Sequence, residues 1–207
     1  RSNNTNTKNI VSLIKPSLIF IPSALSFWLL MNIDQFMLNS MIGLKSVGLY
    51  GLASKFPTVF DTLISSSFIA VYTPKIYNKF RENISKGRKI NTLIALLCFA
   101  SSFLLYFIIK KCSFVIGYIV HDNYLPALDY IAPLMLAAMI KFSANILNMH
   151  IQFVNKIRFI LYLNITTAVI NAILNYLLIP KYGVQGCLIA TVSSFTVMFA
   201  INLLKTI

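Results

Sequence analysis

The chain has 207 residues, 57% of them hydrophobic and 11% charged, with a formal net charge of +13. A mean hydropathy of +0.76 excludes a soluble domain. It also removes the nucleic-acid reading that such a basic excess would otherwise invite.

In chain order, a polar segment at 1–15 precedes six predicted spans, at 16–40, 47–72, 90–109, 126–149, 159–179 and 184–204. Each is long enough for a hydrocarbon core about 30 Å thick, which takes about 20 helical residues to cross. They are read as helices, because an open chain in lipid satisfies its backbone hydrogen bonds in no other way, and barrel-type alternation is absent. The predicted fold class is therefore all-α, a polytopic transmembrane helix bundle over 16–207. The first span is too long for a cleavable signal peptide. Position 1 is Arg rather than Met, and 1–9 is polar. That stretch reads as a loop following an earlier segment, or equally as an arbitrary cut.

The basic residues fall in alternate gaps. Arg1, Lys8 and Lys15, then Lys75, Lys79, Arg81, Lys86, Arg88 and Lys89, then Lys156, Arg158 and Lys205 lie on the side of the N-terminus. Lys45, Lys110, Lys111 and Lys181 lie on the other. The positive-inside rule places both termini in the cytoplasm, and the pattern of spans and charges describes a polytopic inner-membrane protein. The basic loop 73–89 is expected to rest against anionic lipid. Cys98, Cys112 and Cys187 form no CxxC pattern and read as small packing residues.

Ionisable groups inside a span are costly, by about 2.5–3.5 kcal/mol each on insertion scales, and therefore informative. Asp34, Lys55, Asp61 and Lys141 are the cases here. Asp34 and Lys55 are expected at similar depth on neighbouring helices, where an ion pair is easy, either as a packing device or as part of a transport path. Asp61 and Lys141 fall near the midplane and can pair or face a cavity. Pro57, between Lys55 and Asp61, predicts a kink. Interrupted helices at that depth recur at transporter sites and also as plain packing kinks.

Three polar stripes follow helical spacing. They are Lys141, Asn145 and Asn148; Asn164, Thr167, Asn171 and Asn175; and Tyr50, Ser54, Asp61 and Ser65. Any one could be an interhelical seam, whereas three together predict a shared hydrophilic cavity. The third span has only Ser101 and Ser102 inside and is expected to face lipid. No Walker-type loop, metal-ligand cluster or convergent catalytic set is present, so no enzyme activity, metal or cofactor is expected. His121 and His150 are the only histidines, at span ends.

Two stretches carry a resemblance. One is Asp34-Gln35-Phe36-Met37-Leu38, with Gly43 and then Val47-Gly48-Leu49-Tyr50-Gly51-Leu52-Ala53. The other runs from Asn175-Tyr176 through Pro180, Gly183 and Gly186-Cys187 to Ala190-Thr191. Together they resemble the Wzx-type O-antigen flippases, a polysaccharide-transporter branch of the multidrug/oligosaccharidyl-lipid/polysaccharide superfamily. Gly43 and Gly48, like Gly183 and Gly186, are expected to shape turns between spans, with Pro180 ending the helix before the second turn. Cys187 stands where such proteins often carry Ala.

The resemblance covers all six spans, as the C-terminal half of a two-lobed transporter. It implies flipping of an undecaprenyl-diphosphate-linked O-antigen or related repeat unit from the cytoplasmic to the periplasmic leaflet. Membrane lipids, a glycan polymerase and a chain-length regulator would be the partners. Lys141, then Lys55, would meet the cargo diphosphate. Asn145, Asn148, Asn164, Asn171 and Asn175 would meet its glycan, and Asp61 and Asp34 would serve coupling or ion pairing. The alternatives are a cation-coupled multidrug exporter, a non-transporting scaffold of glycan assembly, and a glycan polymerase. The exporter would carry more embedded carboxylates, and the polymerase a larger periplasmic loop than 110–125.

Overall fold

A computed structural model of the protein describes Leu25, Trp28 and residues 32–116 and 121–207, with no side-chain description at 113–116 and 122. The predicted polar segment 1–15 and most of the first span lie outside the described residues. Among the described residues every regular element is helical and none is a strand.

Helix α1 covers 32–41 and meets α2 (Leu44–Ala53) at a turn made by Gly43. The Gly43 φ of 114° lies where side-chain-bearing residues are strained, so glycine is required there. Gly48, expected in this turn, lies inside α2 instead. The chain continues through α3 (Lys55–Val59), a π-helical turn (Phe60–Ser65) and α4 (Ser66–Glu82). After Asn83 come α5 (Ile84–Ile116), a short 3-10 turn (Asp122–Tyr124), α6 (Leu125–Phe153), α7 (Ile157–Tyr182) and α8 (Val184–Thr206). From α2 onward the helices overlap the predicted spans, but the basic stretch 73–89, expected as a loop, is helical on both sides of Asn83 because α4 runs on to Glu82 and α5 begins at Ile84.

Among the described residues four helical segments are long and apolar enough to cross a membrane: Ile84–Cys112, Leu125–Phe153, Ile157–Tyr182 and Val184–Thr206. The chain is a multi-pass membrane protein. The buried share of the most apolar stretch sorts the layers, at 72% in α6, 50% in α8, 22% in α7 and 11% in α5. Helix α6 is the core, α8 packs against it, and α5 turns Leu93, Leu97, Leu104 and Phe107 outward, as expected for a lipid-facing span. Ala137, Ile140, Ala144 and Leu147 of α6 pack with Phe195, Met198 and Phe199 of α8 in the main apolar cluster.

Helices α7 and α8 form a hairpin about Gly183, whose φ of 58° again favours glycine. Helix α7 does not stop at Pro180 but runs on to Tyr182, so Gly183 rather than the proline ends it. Gly186 keeps the hairpin close, since a Cβ there would lie 2.3 Å from the Leu178 carbonyl oxygen. The side chain of Ile42 reaches Gly183, so the α1–α2 and α7–α8 turns meet at one end of the bundle. The α4–α5 and α6–α7 connections, with Lys79, Arg81, Lys86, Arg88, Lys89, Lys156 and Arg158, mark the other, basic end.

Candidate functional site

The second predicted span is not one regular α-helix but passes through α2, α3, a π-helical turn and α4 with its backbone helical throughout. Pro57 has no N–H to give the carbonyl one turn earlier, and regular α-helix is interrupted at Ser54. Local hydroxyls take up backbone acceptors, with Ser54 Oγ donating to Gly51 O at 2.8 Å and Thr58 Oγ1 to Ser54 O at 2.8 Å. The π-helical turn that follows adds a residue to the local turn and rotates what comes after it. Asp61 lies within this turn.

The turn aims Asp61 across the bundle at Lys141 of α6, and the two form a direct, short ion pair. Lys141 is 6% exposed, whereas the Asp61 side chain is 33% exposed. Of the two arrangements the sequence left open, pairing is the one adopted, and the pair still borders open space. A cavity of about 320 Å³ is lined by Asp34, Tyr50, Ser54, Thr58, Asp61 and Lys141, with Thr191 and Phe195 of α8 on the far wall. Its polar surface comes from α1, α2, α3, the π-helical turn, α6 and α8 together.

Asp34 is not paired with Lys55. Its carboxylate is 3% exposed and accepts from neutral donors. These are Tyr50 Oη at 2.7 Å, Asn175 Nδ2 at 2.7 Å and Thr191 Oγ1 at 2.7 Å. Asn175 Nδ2 also reaches Asn171 Oδ1 at 3.1 Å. Thr191 Oγ1 lies 2.9 Å from the Cys187 carbonyl as well, so its single proton serves one acceptor at a time. Lys55 lies on the exposed side of α3, and no ion pair holds it among the described residues. The expected Asp34–Lys55 bridge therefore gives way to a four-helix cluster. The reason is register. Asn175 and Thr191 lie equally far from Gly183 along the hairpin and so share a level, and Asp34 reaches that level from α1.

The expected shared cavity forms only in part. Tyr50, Ser54 and Asp61 line it, as does Lys141, but Asn145 and Asn148 do not. Asn145 is half-buried, and Asn148, 5% exposed, donates to it only at 3.5 Å. Asn164, Thr167, Asn171 and Asn175 are all buried on α7. Residues 171 and 175 join the Asp34 cluster, and Asn164 Oδ1 has no hydrogen-bond partner among the described residues. Most of the α7 stripe is thus a packing seam.

Sequence reasoning missed the part played by Thr191, although its symmetry with Asn175 about Gly183 was readable. It also missed Asn91. That residue is fully buried, donates to Ile146 O at 2.9 Å and accepts from Tyr72 Oη at 3.2 Å, tying α5 to α6 and α4. Among the described residues no group of three or more His, Cys, Asp or Glu is placed to hold a metal ion. Cys98, Cys112 and Cys187 are free thiols.

No protein-family model matches the chain, and neither does any curated protein or solved structure.

Proposed function

We propose that this chain forms part of a flippase. Its cargo is a lipid-linked oligosaccharide carrying a diphosphate, of the undecaprenyl-linked O-antigen or related polysaccharide type. It is carried from the cytoplasmic to the periplasmic leaflet of the inner membrane, with both termini of the chain cytoplasmic. The observation that carries the reading is a lysine at mid-span depth on the wall of a hydrophilic cavity, held by a carboxylate that remains partly open. A diphosphate entering the cavity competes with Asp61 for Lys141, as an anion of higher charge does for an ammonium group. Tyr50, Ser54 and Thr58 offer hydroxyls to sugar. The motif resemblance of α1–α2 and of the α7–α8 hairpin points the same way. Lipid-linked oligosaccharide, bilayer lipids, and a polymerase with its chain-length regulator are the partners that follow.

Asp34 takes the coupling role in this reading. A buried carboxylate with only neutral partners leaves room for a counter-charge. Hard oxygen ligands stand around it, namely its own two oxygens, Thr191 Oγ1 and, on rotation of the amide, Asn175 Oδ1. That amide oxygen is buried with no partner among the described residues. Such a set suits a proton or a small monovalent cation.

The test is surface-glycan display in a flippase-deletion strain of matched glycan, complemented with the full-length gene. Restored display supports the reading. Failure by a well-expressed protein moves it to a multidrug exporter or a scaffold of glycan assembly.

A further inference from the structure

A second, smaller cavity of about 240 Å³ opens where α5, α6 and α8 meet at the Gly43/Gly183 end, away from the Asp61–Lys141 pair. Its walls carry Lys110 and Tyr106 of α5, Asp129 and Pro133 of α6, and Gln185 of α8. Lys110 Nζ lies 5.9 Å from the centre of the Tyr106 ring. No ion pair joins Lys110 to Asp129, although both line this one small space. Pro133 adds a feature specific to the site. Lacking an N–H, it leaves the carbonyl of residue 129, one turn earlier, without its helical donor. The pocket therefore offers one cation, one carboxylate and one backbone acceptor in need of an N–H.

An apolar track leads away from it. Phe99, Phe103, Tyr106 and Lys110 follow one face of α5 at i, i+4, i+7 and i+11. Phe103 is 45% exposed, and Phe99 stacks on Phe199 of α8 at 4.4 Å. The polar pocket thus caps an aromatic stripe that packs on α8 at Phe99 and is open at Phe103, with the charges at the end of the span where headgroups lie.

We propose that this pocket binds the headgroup of a zwitterionic phospholipid bearing a primary ammonium, as in phosphatidylethanolamine. Lys110 and Gln185 take the phosphate. Asp129 and the freed carbonyl of residue 129 take the ammonium, and an acyl chain follows Phe103 along α5. A quaternary ammonium has no N–H to give that carbonyl, and an anionic glycerol headgroup offers Asp129 hydroxyls but no cation. The site is independent of the cargo reading.

The test is native mass spectrometry of the purified full-length protein, offered equimolar phosphatidylethanolamine, phosphatidylcholine and phosphatidylglycerol, with size-exclusion profiles to verify folding. The expected result is preferred retention of phosphatidylethanolamine. Lys110→Gln and Asp129→Asn, both at exposed positions, each weaken it by roughly three- to fivefold, the scale of a solvent-screened ion pair. Equal retention of the ethanolamine and choline lipids overturns the assignment. So does unchanged retention in both variants, and displacement of the lipid by free phosphoethanolamine at equal concentration overturns the lipid source.

Discussion

The Asp34 cluster and the Asp61–Lys141 pair put carboxylates into the same bundle in opposite ways. Asp34 is enclosed, 3% exposed, and met by a phenol, a hydroxyl and an amide. Asp61 is a third exposed and met by an ammonium. The first arrangement ties four helices together at the wall of the cavity and gives the carboxyl group only neutral partners. The second is electrically neutral and stands open to a cavity. Enclosure makes Asp34 indispensable to packing, whereas openness makes Lys141 available to an incoming anion. The same residue types thus serve a joint in one place and a reachable site in the other, and exposure rather than identity separates them.

The comparison is broken most severely at its closed side. Asp34→Ala leaves the Tyr50 hydroxyl and one Asn175 N–H buried without an acceptor, each worth about 1–3 kcal/mol, while Thr191 falls back on the Cys187 carbonyl. Thermal unfolding of the purified protein should show a loss of about 3–5 kcal/mol, and the membrane yield should fall. Gly186→Ala attacks the same joint from outside. Its Cβ would press on the Leu178 carbonyl oxygen at 2.3 Å and spread the hairpin that brings Asn175 and Thr191 to one level. A loss of about 1–3 kcal/mol in the same assay is expected for such overpacking.

The open side should behave otherwise. Lys141→Gln leaves Asp61 unpaired, but water in the cavity reaches that carboxylate. The cost should stay at about 1–2 kcal/mol, well below the fully buried case, while glycan display is lost. Lys55→Gln, at an exposed position with no ion-pair partner among the described residues, should shift stability within about 0.5 kcal/mol. Thiol labelling draws the line between the two regions directly. In a variant without the native cysteines, a membrane-impermeant maleimide should modify Thr58→Cys in the cavity wall and leave Asn171→Cys unlabelled. Labelling at 171 would dissolve the distinction.

The helices were legible because hydropathy and length set them independently of partners, and α6 to α8 appear within a few residues of their predicted ends, whereas α5 extends past both of its own into the polar and basic flanks. The turn residues were half legible. Gly43 and Gly183 adopt the positive φ values that call for glycine, whereas Gly48 lies inside a helix and Gly186 matters for close approach rather than for turning. The Asp61–Lys141 pairing was open to sequence reasoning because both residues count to the same depth. Asp34 was misassigned because depth alone cannot choose between Lys55, on the outer side of α3, and Thr191, far along the chain. That choice depends on which helix packs beside α1. The π-helical turn escaped notice for a similar reason. Pro57 signals an interruption, but the added residue at Phe60–Ser65 lies where Phe60 packs on Phe142, their ring centres 6.0 Å apart, a contact between residues 82 positions apart that local sequence does not show.

The most direct measurement of the central claim uses the double neutral variant Asp61→Asn with Lys141→Gln in the full-length protein. It removes both charges at once, so neither is left unpaired, and an amide pair of similar shape remains. Expression in the flippase-deletion strain, with membrane abundance matched to the parent, separates packing from cargo handling. The account predicts a folded, abundant protein and no surface glycan. Display at the parental level would contradict it and would return the pair to the packing joints of the bundle.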